Sequence, residues 1–195
     1  QGKSHWGDKT PTYVKTMRRI KRVLPEASFI HVVRDGRDVT LSNNKRIVER
    51  GHRDPVPAAR AARQWRNRVQ KAQADGPKLG KYLEIRYEDL VLDTESTLRR
   101  VCECIDLEFE PGMLRYHETA SERLSEMAGA MPARDGRPER EAGERLKAHA
   151  LATKPPTKER IEVWRDDMSA EDQAAFERVA GDLLDDLGYA RAQSS

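Results

Sequence analysis

The alternation of apolar and polar positions in this chain turns on one short run. Phe29 to Val33 is β-branched or aromatic at every position except His31, which predicts a buried strand, and it stops abruptly in charged residues around Gly36. A helix follows in this reading, because Asp35 and Asp38 stand where a first turn favours acids and Val39, Leu41, Ile47 and Val48 supply an apolar side. Ahead of the strand, Tyr13, Met17, Ile20 and Leu24 recur at helical spacing until Pro25. Behind it, Ala58, Ala61, Ala62, Trp65, Val69 and Ala72 share one helical face, with Arg60, Arg63, Arg66, Arg68 and Lys71 largely on the others. That spacing makes Trp65 a core residue. The chain breaks at Gly76–Gly80, resumes as a strand from Tyr82 to Tyr87, and enters a helix capped by Asp93 that presents Leu98, Val101, Cys102 and Ile105. The last helix is the clearest: Ser169 with Asp172 approximates a capping box, Phe176, Val179, Ala180, Leu183, Leu184 and Leu187 form one stripe, and Gly188 stops it.

Strands alternating with amphipathic helices predict an α/β fold with a parallel sheet, since parallel strands need crossovers and helices must cover the sheet. Ligands in such sheets sit at the carboxyl ends of the strands, where Arg34 and Tyr87 both fall. The turn after the first strand has the makings of an anion site, because free N–H groups and a helix dipole face it. Arg34 stands at its mouth, and Ser42, roughly one to two helical turns on, adds a hydroxyl donor.

Composition adds an ionic surface: 35% of the 195 residues are charged and 37% hydrophobic. The net charge of +3 hides an asymmetry, since residues 1–80 hold 19 Lys and Arg against 7 Asp and Glu, leaving 17 against 26 in the remainder. A basic half of this kind suits a polyanion such as a nucleotide, a phosphorylated or sulfated acceptor, or nucleic acid, although most of these charges read as solvated helix faces. No run approaches the roughly 18 apolar residues of a membrane span, and there is no signal-peptide pattern. Cys102 and Cys104 are two apart on a helix, matching neither a zinc knuckle nor a redox pair; Cys102 reads as core. No metal-ligand cluster is visible. His52-Arg53-Asp54 fails as a kinase loop because Ala59 stands where asparagine is required, and Gln1-Gly2-Lys3-Ser4 lacks the earlier glycine of a phosphate loop. His31, inside the strand, reads as a hydrogen-bonded core histidine.

Val33-Arg34-Asp35-Gly36-Arg37, with Ser42 eight residues after Arg34, resembles the sulfotransferase family, most closely its bacterial and tyrosylprotein members. Arg86-Tyr87-Glu88-Asp89-Leu90 resembles a second element of that family, and the terminal Leu-Gly-Tyr a third. The resemblance implies a P-loop-like parallel sheet flanked by helices, incomplete at the N-terminus, in a single domain spanning 1–195 that lacks the family's 5'-phosphosulfate loop. It implies 3'-phosphoadenosine 5'-phosphosulfate (PAPS) as donor, without a metal, and a small-molecule, saccharide or peptide acceptor rather than nucleic acid. By the same resemblance Arg34 and Ser42 clasp the 3'-phosphate, Tyr87 contacts adenine, and Lys9, in Lys9-Thr10-Pro11, meets charge on the transferring group. The basic connection Lys154–Arg160 corresponds to a segment that closes over the donor. The family ends it in Gly-Arg-Trp or Ser-Lys-Trp, and this chain has Glu162-Val163-Trp164, so Lys158 and Arg160 become the polar candidates. Residues 121–150 read as a flexible loop or lid. Because the chain does not begin with methionine, it is expected to be a fragment that binds the 3'-phosphoadenosine end and transfers nothing. Two other readings compete: another P-loop-like phosphotransferase, and a non-catalytic basic module binding nucleic acid or another polyanion.

Overall fold

The computed structural model describes residues 5–49, 51, 54–125 and 153–192. It is helix-rich, with two parallel strands, β1 (Phe29–Val33) and β2 (Tyr82–Arg86), paired in register from Phe29 opposite Tyr82 to Val33 opposite Arg86. The expected α/β character is present, but a wide sheet covered on both faces is not: among the described residues the sheet has two strands, and Val32 is 48% exposed.

The crossover between the strands is made by α2 (Gly36–Glu49) and α3 (Ala58–Asp75), after a short α1 (Met17–Val23). Two short helices, α4 (Tyr87–Leu92) and α5 (Thr94–Cys104), follow β2, then α6 (Tyr116–Ser125), α7 (Trp164–Asp167) and the long α8 (Ala170–Asp186). The apolar face of α3 packs as its spacing predicts, with Ala62, Trp65, Val69 and Ala72 buried, and its main partner is the Phe176, Ala180, Leu183 and Leu184 stripe of α8. The Ser169 hydroxyl caps α8 by accepting the Asp172 N–H at 3.1 Å, and Gly188, at φ +72°, ends it. Cys102 is buried in α5, as read from the pattern.

Other expectations are corrected. The single helix expected over Tyr13, Met17, Ile20 and Leu24 is split: Pro11–Lys15 is a 3-10 turn, Thr16 leaves helical geometry at φ −131°, and Tyr13 is 41% exposed. Pro11 starts the tighter turn, and Thr16 N–H closes it onto the Tyr13 carbonyl. In α2 the buried side is polar, formed by Gly36, Arg37, Asp38 and Thr40, while Val48 is 59% exposed. The cause is the close seating of the α2 start on the core. A Cβ at Gly36 would lie 2.5 Å from both Phe176 and Trp65 ring atoms, so only glycine lets the turn approach these rings. Of the segment 121–150 read as a loop or lid, residues 121–125 close α6 and the rest lies outside the described residues.

On the face of the sheet turned toward α3, His31 Nδ1 lies 2.9 Å from the Tyr82 hydroxyl and 3.0 Å from the Glu84 carboxylate. Gln73 donates to the other Glu84 oxygen at 3.0 Å. Burial raises the Glu84 carboxyl, but hydrogen bonds from His31 and Gln73 outweigh it and leave the group below the usual glutamate range. His31 is thus a hydrogen-bonded strand residue.

Candidate donor-binding site

The site grows from the end of β1. The Trp65 indole N–H donates to the Arg34 carbonyl at 3.1 Å, fixing the strand end against α3. Two of the next N–H groups are occupied. Asp35 N–H donates to Glu88 at 3.0 Å, and Arg37 N–H donates to the Asp35 carboxylate at 2.9 Å. Of the backbone donors expected to cradle an anion at this turn, internal carboxylates hold those of Asp35 and Arg37.

Those carboxylates belong to a buried network. Arg37, fully buried, donates to Asp35 at 3.0 and 2.7 Å, to Glu177 at 2.6 Å and to the Ala190 carbonyl at 2.6 Å, with its guanidinium 3.5 Å from the Trp164 ring centroid. Glu88 also accepts the Tyr189 hydroxyl at 3.0 Å, and burial, reinforced by the Glu88 charge, pushes the Tyr189 phenol far above the usual tyrosine range. Charges this deep persist only because each is paired and hydrogen-bonded.

Arg34 faces a different set of groups. Its guanidinium lies 4.8 Å from the Tyr87 ring centroid and donates to the Arg160 carbonyl; one nitrogen is 3.4 Å from Asp38. Its Nε is buried with no hydrogen-bond partner, a donor held back from both water and protein. Asp38 is itself buried and accepts the backbone N–H groups of Glu162 at 3.1 Å and Trp164 at 2.9 Å. Burial raises its carboxyl above the ordinary aspartate value despite those bonds and the Arg34 charge.

Beside Arg34 a cavity of about 700 Å³ opens between α4, α5, α6 and the segment Lys154–Arg160. Its walls are mostly apolar, including Leu90, Leu98, Met113 and Pro156, with Tyr87 and Arg160 on the side nearest Arg34. Tyr116 closes one edge by donating from its hydroxyl to the Lys154 carbonyl at 3.1 Å, and burial raises its phenol pKa. A space of this size, with Tyr87, Tyr116 and the Arg160 cation in its lining, has the volume of a small-molecule site.

The sequence-derived residues divide into two groups. Tyr87 and Arg160 line this cavity and Arg34 contacts both, with Tyr87 as the first residue of α4 rather than the end of β2. Lys158 is exposed in the same 3-10 turn as Arg160, Lys158–Arg160. Ser42 is half-buried on α2, six residues past Gly36 and so about 9 Å along the axis, and Lys9 is exposed in the extended run before Pro11. Neither hydrogen-bonds to the Arg34 group. Among the described residues no three His, Cys, Asp or Glu side chains gather as a metal site, and no helix is long and apolar enough to cross a membrane. Sequence reading missed Asp38 as an acceptor for a distant backbone, Arg37 as a buried hub, and Glu88 as its link to Tyr189. The available signal was the bracketing of Arg37 by Asp35 and Asp38, read there only as helix-start acids.

The profile of the sulfotransferase family matches residues 1–111, and the chain belongs to that family. A curated relative, protein-tyrosine sulfotransferase A of Caenorhabditis elegans, is 25% identical over 120 residues. The match covers 60% of this chain and 32% of that relative, so the chain spans less than two thirds of its length.

Proposed function

We propose that this chain carries the 3'-phosphoadenosine side of a PAPS site in a sulfotransferase whose acceptor is a hydroxyl or amine. The observation that carries the reading is Arg34: a strand-end guanidinium with an unpartnered buried Nε, stacked on Tyr87, which itself lines a mostly apolar cavity. In this reading the adenine enters the cavity against Tyr87, and the 3'-phosphate meets Arg34, with Ser42 as a second donor and Lys158 and Arg160 covering it from the C-terminal segment. PAPS supplies the sulfonate, and Lys9 meets the charge that develops on it. No step here asks for a metal. Among small-molecule, saccharide and peptide acceptors, the tyrosine-sulfotransferase relative favours a peptide.

Calorimetric titration with 3',5'-ADP and with 5'-AMP tests the reading. Binding of 3',5'-ADP should exceed that of 5'-AMP without magnesium, and Arg34→Ala should weaken it by at least tenfold, the scale of a lost charge-assisted hydrogen bond. Equal binding of the two nucleotides overturns the reading. A magnesium-dependent preference for 5'-phosphates would point to a phosphotransferase. Polyanion binding that ignores Arg34→Ala and falls steeply with salt would point to a basic binding module.

A further inference from the structure

The segment that walls the cavity has no strand or long helix to hold it. Lys154 to Thr157 is exposed, Lys158–Arg160 is a single 3-10 turn, and Glu162 takes φ +60°, a left-handed conformation that residues with a Cβ rarely adopt. At that strained point two backbone N–H groups, of Glu162 and Trp164, converge on the two oxygens of one buried carboxylate, Asp38. The Asp38 oxygen that takes the Glu162 N–H is also the one 3.4 Å from Arg34. The Arg34 guanidinium meets the segment again by donating to the Arg160 carbonyl.

We infer that Asp38 is a positioning residue for the donor site, acting as a latch that holds the 158–164 segment over the cavity and sets the Arg34 guanidinium through one shared oxygen. This rests on the donor-site reading above. The role needs a carboxylate. Both oxygens accept, from two backbone donors on one side and a guanidinium on the other, whereas an amide presents one acceptor and turns its NH2 toward a donor. Asp38 touches no ligand in this scheme. It works through Arg34 and through the backbone that carries Lys158 and Arg160.

The test uses the whole chain. In the unaltered protein, amide hydrogen exchange should show Glu162 and Trp164 N–H protected relative to their exposed neighbours, with or without 3',5'-ADP; exchange as fast as in an unstructured peptide overturns the latch. In Asp38→Asn, trypsin should cut after Lys158 and Arg160 several-fold faster, and the affinity for 3',5'-ADP should fall about tenfold while that for 5'-AMP changes less. An Asp38→Asn protein that binds 3',5'-ADP as the parent does overturns the positioning role and leaves the donor-site reading intact. Failure of the parent protein to prefer 3',5'-ADP over 5'-AMP overturns both.

Discussion

Arg37 shows how much one side chain can organise when it is buried with its charge. Four hydrogen bonds to Asp35, Glu177 and Ala190, with the Trp164 ring on its face, satisfy the guanidinium where water does not reach. Such a group is poor at adding net stability and costly to remove, since removal strands its partners. Replacing it with methionine, similar in reach, leaves Asp35 and Glu177 without their cation. Urea denaturation should then show a loss of about 3–5 kcal/mol, the usual cost of breaking a buried pair from one side. A loss under about 1 kcal/mol would mean that the two carboxylates find other donors or take up protons.

Between elements, the contact of α3 with α8 carries the core, and its apolar and ionic parts are unequal. Phe176 is fully buried against Trp65, ring centroids 5.9 Å apart, and its replacement by alanine should cost about 3–5 kcal/mol in a denaturant titration. Across the rim of the same contact Arg66 pairs with Asp182, an aspartate that is mostly in water, and Asp182→Asn should leave the melting temperature almost unchanged. This contact was legible in the sequence because both helices write it at a spacing of three and four residues. The strand ends were legible to within a residue, Arg34 following β1 directly and Tyr87 following β2 directly as the first residue of α4. The polar site was not. Asp38 meets Glu162 and Trp164 across 124 and 126 residues, and Glu88 meets Tyr189 across 101. Hydrogen bonds at that separation leave no period in the chain. With the close seating of Gly36, the bonds of Asp38 turn the polar side of α2 inward, against the apolar pattern of Val39, Leu41, Ile47 and Val48.

At the scale of the whole molecule, the response to acid should have one traceable contributor in the sheet. Glu84 is held below its ordinary value of 4.5, so the stability it adds is complete above that pH and is lost as the pH falls through the lower folded value. Melting temperatures of the parent and Glu84→Gln should therefore differ most near neutrality and converge below pH 4.5; a constant difference down to strong acid would contradict the assignment. Connectivity has a consequence of another kind, visible only when the chain is considered as something made from one end. Arg37 hydrogen-bonds to the Ala190 carbonyl 153 residues later. At a synthesis rate of about 5–20 residues per second, roughly 8–30 s separate the emergence of the two from the ribosome. Throughout that interval the arginine lacks its last acceptor and stays hydrated. The turn beside Arg34 is thus made well before its last hydrogen-bond partner exists.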